Sequence, residues 1–114
     1  MSYRDNIGWQ KGIDLVEIAY RFTKTLPASE NFGLVSQIQR AAVSIPANVA
    51  EGYGRGSKLD FARFVDIAIG STRELQTHFE ICKMLGIGSQ TDEIEQAEKL
   101  AWTLLALRRS LRPD

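Results

Sequence analysis

At 114 residues, 44% hydrophobic and 25% charged, the chain has the size and make-up of one soluble domain. Such a chain can bury roughly two thirds of its unfolded surface. Fourteen basic and fourteen acidic side chains cancel. That makes strong non-specific nucleic-acid binding, which rests on phosphate neutralisation, a poor expectation and leaves little self-repulsion between copies. A single cysteine, Cys82, excludes an internal disulfide, and with one histidine, His78, there are too few ligands to predict a metal site or a cofactor.

No stretch alternates with period two for long, whereas the helical period occurs four times. The first helix is predicted from Trp9 to Leu26, with Trp9, Ile13, Val16 and Tyr20 on its seam and Leu15, Ile18 and Phe22 beside it. Pro27 ends it, and Glu30 to Gly33 makes the turn. The second runs from Leu34 to Tyr53 on a seam of Ile38, Ala42, Ile45, Val49 and Gly52. It is unusual in containing Pro46, which removes a backbone donor and crowds the carbonyl four residues earlier. A packing or binding requirement must offset that cost.

After a Gly54-Arg55-Gly56 turn, Ser57 and Asp60 resemble a capping box for the third helix. Its seam, Phe61, Val65, Ala68, Thr72, Leu75, Phe79 and Cys82, is the most regular in the chain, and Gly86 is a natural left-handed stop. Thr91 is the expected cap of the fourth helix, with Ile94, Ala97, Ala101, Leu104 and Leu111 as its seam and Pro113 as its stop. Acids open this helix and Arg108, Arg109 and Arg112 close it, matching the helix dipole. Short turns between four helices predict an all-α, antiparallel up-down-up-down four-helix bundle forming a single domain over residues 1–114. The polar start and the lack of any apolar run long enough for a membrane span predict a cytoplasmic protein with no membrane partner.

Four groups of residues invite chemistry. The glycine-rich Gly52–Lys58 stretch lacks the spacing and the preceding strand of a Walker loop. Arg55, Lys58 and Arg63 around the start of the third helix remain a candidate anion or nucleic-acid site. Arg73 and His78 match the arginine–four residues–histidine motif of HEPN-type ribonucleases, in which arginine would stabilise phosphate and histidine would move the proton. The two lie about 140° apart around a helix, which argues against a joint role. Glu74 and His78, four apart, fall short of the ligand set of a di-iron bundle. Ser44, Asn48 and Glu51 on the second helix, with Ser71, Arg73 and Glu74 on the third, are expected to form a buried polar network that sets register. Finally, Trp102 and Leu105 lie off the seam of the fourth helix. With Leu15, Ile18, Leu100 and Leu107 they suggest a second apolar face for subunit contact.

Three segments also carry a family resemblance: Trp9-Gln10-Lys11, then Phe32-Gly33-Leu34 leading into the twenty residues Ser36–Arg55 (SQIQRAAVSIPANVAEGYGR), and Ala68–Leu75 (AIGSTREL). They closely resemble the four-helix bundle proteins encoded in intervening sequences of bacterial 23S rRNA genes, over nearly the whole chain, less so after about Gly86. The resemblance implies a small cytosolic bundle that assembles as a ring- or barrel-shaped homopentamer and has no enzymatic activity. A relative, the accessory variability determinant of diversity-generating retroelements, is a basic pentamer that binds a reverse transcriptase and nucleic acid. This chain departs from it in being neutral, and the family pattern at Arg73-Glu74 requires no histidine. The expectation is therefore a non-enzymatic homo-oligomeric scaffold or adaptor, with RNA or an RNA-processing or reverse-transcriptase protein as its partner; the alternative is a HEPN-like ribonuclease using Arg73 and His78.

Overall fold

The computed structural model describes residues 1–112, and its regular structure is helical throughout. Four α-helices make the body: α1 (Ile7–Thr23), α2 (Leu34–Tyr53), α3 (Lys58–Leu85) and α4 (Glu93–Ser110). Each packs on the next, α4 returns to α1, and the molecule is 48 Å long and 19 Å across. Cross-helix pairs fix the directions. Gly12 meets Pro46 while Thr23 meets Gln39, and Ser71 meets Ser44 while Phe64 meets Gly52. Gln76 meets Glu98 while Asp66 meets Arg108. In each pairing numbers rise along one helix as they fall along the other, so neighbours are antiparallel and the expected up-down-up-down bundle is the fold.

Local chemistry accounts for the helix ends. Asn6 caps α1, its side-chain oxygen accepting from the amides of Gly8 at 2.8 Å and Trp9 at 3.3 Å. This puts the start two residues before the predicted Trp9, and the helix also closes early, at Thr23, with successive tight turns carrying the chain to Leu26. Ser57 caps α3 by accepting from the Asp60 amide, and Gly86 stops that helix in the left-handed region at φ 69°. At α4 the expected roles are exchanged. Thr91 does not cap the helix; the buried Glu93 carboxylate instead accepts from the Thr91 amide and hydroxyl. The predicted stop at Pro113 lies outside the described residues.

The seams of α2 and α4 are buried as predicted, apart from a half-buried Ile94, and so is that of α3, with Phe61 half-buried and Ala62 turned inward. On α1 the reading is overturned. Its core line is Gly8, Gly12, Leu15, Ala19 and Phe22, while Ile13 and Tyr20 are exposed and Trp9 and Val16 half-buried. The physical reason is close approach. A Cβ on Gly12 would stand 3.3 Å from Cβ of Pro46, and one on Gly8 would stand 3.0 Å from a methyl of Leu104. The flat Pro46 ring thus faces a notch in α1, and α2 continues through it as helix to Tyr53. That contact is the packing requirement behind the proline. At the far end of the core Phe22 and Phe79 meet edge to face, 5.2 Å between centroids.

Candidate functional site

The basic turn between α2 and α3 follows a close approach of the two helices at Gly52. A Cβ on Gly52 would be 2.7 Å from Phe64 Cβ and 3.2 Å from the Phe61 carbonyl oxygen. Phe61 packs edge to face on Tyr53, and the Arg55 guanidinium lies over the Phe64 ring at 4.9 Å. Two of the three predicted anion-binding cations already have acids nearby. Arg55 is 3.6 Å from Glu51 and Arg63 is 3.5 Å from Asp60, whereas Lys58 is in no ion pair among the described residues. Such exposed pairs are weak, so a phosphate can compete for the cations, but the turn presents less net charge than its sequence suggests.

Of the expected polar network, the structure brings three members together. The Ser44 and Ser71 hydroxyls are hydrogen-bonded across α2 and α3 at 2.8 Å, and the Asn48 amide donates to the Ser44 carbonyl at 2.7 Å and hydroxyl at 2.9 Å. Glu51 is not part of it: its side chain is 58% exposed and turns along α2 to Arg55. The α3 residues at that level are Phe61 and Phe64, which offer a carboxylate no donor. Arg73 and Glu74 also lie elsewhere. Arg73 faces α4, donating to Glu98 and Gln76 at 2.8 Å each, and Glu74 faces His78 on its own helix.

Arg73 and His78, the candidate ribonuclease pair, have separate neighbours. His78 is 7% exposed and lies two helical turns on from Ser71, on the stripe facing α2; its Nε2 is 3.2 Å from Glu74. Its Nδ1 is buried without a hydrogen-bond partner among the described residues. Arg73 is thus engaged on the α4 side of α3, while His78 is buried beside Glu74. Cys82 is buried, and desolvation, with a smaller contribution from the Glu30 charge, pushes its thiol pKa up, away from nucleophilic thiolate. Among the described residues no three His, Cys, Asp or Glu side chains converge as a metal site.

The bundle exposes apolar side chains on several helices, among them Leu59 and Ile67 on α3, and two of these apolar surfaces line recesses. On the α1–α2 side, Ile13 (42% exposed), Tyr20 (40%) and Val43 (45%) face outward. Tyr20, Arg40 and Val43, with Ser36, Gln39 and Ser44, line an open groove of about 470 Å³. Diagonally across the bundle, on α4, Trp102 is 67% exposed beside an exposed Leu105. The other residues expected on that second face are not there. Leu15 and Leu100 belong to the core, and Ile18 and Leu107 are half-buried against it. On α1 the exposed and buried stripes are thus the reverse of the periodic reading, and Val43, an isolated valine outside the α2 seam, carries no periodic signal.

Trp102 is held rather than loose. Its indole N–H donates to Glu98 at 2.7 Å, and the other oxygen of that carboxylate accepts from Arg73 at 2.8 Å and Gln76 at 2.7 Å. These bonds, Gln76 first, then Arg73 and Trp102, hold the Glu98 carboxyl below the usual glutamate pKa.

Among the described residues no helix is long and apolar enough to cross a membrane. No curated protein matches the chain. A family model does, over residues 4–107, from the first short turn into the last turn of α4, and it is described as 23S rRNA-intervening sequence protein. With a match covering the four helices almost from end to end, the chain belongs to the family of 23S rRNA-intervening sequence proteins.

Proposed function

We propose that this protein is a non-enzymatic scaffold or adaptor of the cytoplasm that works as a homo-oligomer, assembled as a pentamer, with RNA or an RNA-handling protein as its partner. One observation carries the reading: two exposed apolar faces stand on separate sides of a bundle that has no net charge to keep copies apart. The pentameric number and the partner class come from the family resemblance; a reverse transcriptase is the partner type that the basic relative suggests. Light scattering at micromolar concentration tests the assembly. The expected mass is five times that of the chain, and a monomer would overturn the proposal.

A nucleic-acid role draws support from the α2–α3 turn, where Lys58 is in no ion pair among the described residues and Arg55 stacks on Phe64. With so few free cations the salt dependence should be shallow, on the order of two to four phosphate contacts. Changing Arg55 and Lys58 to alanine should weaken RNA binding uniformly across sequences. Tight binding untouched by that change would put the site elsewhere.

A further inference from the structure

The geometry points to a head-to-tail contact between copies of this chain, in which Trp102 on α4 of one copy enters the groove beside Tyr20 and Val43 of the next. This rests on the self-association proposed above and specifies its surfaces.

The shape of Trp102 comes first. A tryptophan two-thirds exposed normally samples several rotamers, and ordering it on binding costs free energy. Here the indole is already tied to Glu98, which Arg73 and Gln76 hold in turn across the α3–α4 junction. The ring is therefore presented in a set orientation before any partner arrives. Preorganised tryptophans on a surface are the residues that most often dominate binding free energy. The α1–α2 groove is the larger of the two recesses, and Tyr20 and Val43 give it aromatic and aliphatic surface for a ring whose one donor is already satisfied by Glu98.

Charge chooses between the ways two copies can meet. Arg40 lines the groove, and no acid lines it with Arg40. Glu95 and Glu98 flank Trp102, with Lys99 on the side where α4 meets α1. Neither Arg40 nor Glu95 is in an ion pair among the described residues. Glu98 is already neutralised by Arg73, so a symmetric contact centred on Trp102 would bring the unpaired Glu95 of each copy together, and one of groove on groove would oppose two Arg40 cations. Only Trp102 into groove brings Arg40 to Glu95, and like-charge juxtaposition disfavours the alternatives. Apart from Tyr20 of α1, the groove is lined by α2, which does not touch α4 within the bundle, so one copy can use both surfaces at once. A contact between different patches repeats from copy to copy and closes into a ring when the rotation allows.

A mixing experiment tests this directly. Trp102→Ala removes the inserted ring and Val43→Glu spoils the groove; both positions are exposed, so helical content by circular dichroism should match the wild type. Each variant alone should be monomeric where the wild type assembles, its dissociation constant raised on the order of thirtyfold or more, as for a hot-spot aromatic. Mixed one to one they should form dimers and nothing larger, because one copy keeps its Trp102 and the other its groove. A variant that assembles as the wild type does, or a mixture that stays monomeric, overturns the contact. Should either variant lose helical content, Arg40→Glu gives an independent reading: it should weaken assembly, and adding Glu95→Arg should restore it. Failure of that restoration also overturns the contact. A monomeric wild type, in contrast, overturns the self-association itself.

Discussion

The α2–α3 and α3–α4 junctions are both antiparallel helix pairs, yet they are held in different ways. Between α2 and α3 the contact is dry and close: Ile38, Ile45 and Val49 have no exposed surface, and Gly52 lets the chain at Phe61 and Phe64 come within a methyl group's reach. Among the described residues the cross-helix polar link there is neutral, Ser44 to Ser71. Between α3 and α4 the outer links are ionic and solvated, Arg73 with Glu98 and Asp66 with Arg108, each at 2.8 Å. Shape complementarity fixes the first pair, so a single methylene matters there. Exposed ion pairs contribute little to stability, and those on α4 serve more to orient what lies on the surface.

The sharpest break of that contrast is Ile45→Ala. A cavity in the dry junction should cost about 2–5 kcal/mol, read from denaturant unfolding. Next is Gly52→Ala. In an ordinary helix interior this exchange stabilises by up to about 1 kcal/mol, but here the new methyl meets Phe64 at 2.7 Å. Overpacking should reverse the sign and destabilise by about 1–3 kcal/mol. Gly70→Ala is the internal control, because nothing stands within 4 Å of its added Cβ and it should stabilise by about 0.5–1 kcal/mol. If both glycines respond alike, close approach does not distinguish the junctions.

Acid sharpens the other side of the comparison. The Glu98 pKa is lowered in the folded protein, so the unfolded chain takes up the proton first. The stabilisation it provides is complete above the ordinary glutamate range and is lost as pH falls through the lower, folded value. The Glu98 carboxyl carbon and the Trp102 indole N–H should therefore shift together in an NMR titration, with a midpoint below that of an ordinary glutamate. An indole signal that ignores the Glu98 midpoint would mean that the ring is not held there. The smallest effect belongs to Glu51→Ala: for an exposed residue in a weak pair with Arg55, stability should stay within about 0.5 kcal/mol of wild type. A larger loss would return Glu51 to the buried network.

The legible parts of this fold are those written in large apolar residues at regular spacing. The seams of α2, α3 and α4, the Ser57 cap and the Gly86 stop follow from side-chain size, helical period and backbone conformation, which are local properties. The Ser44–Ser71 link was legible for the same reason, since small polar residues on the flanks of two neighbouring seams have few other places to bond. The site was harder to read. Glu51 shares its stripe with Ser44, but what it meets depends on Phe61 and Phe64, two bulky residues that Gly52 brings close. Arg73 stands next to the Ser71 stripe in sequence, but its partner, Glu98, lies on the far side of α3.

Sequence by itself determined that this chain makes four helices, where most of them turn and which family they belong to, because period, caps and a long shared motif are carried by consecutive residues. Only the tertiary structure decided which stripe of α1 is the core. Periodicity weighs side chains by how apolar they are, and so it favoured Trp9, Ile13, Val16 and Tyr20. Packing weighs them by how near the next helix must come, and against Pro46 and Leu104 only Gly12 and Gly8 leave room. Ile13 and Tyr20 were turned outward by that fit, and the apolar surface they leave available to a partner is the consequence.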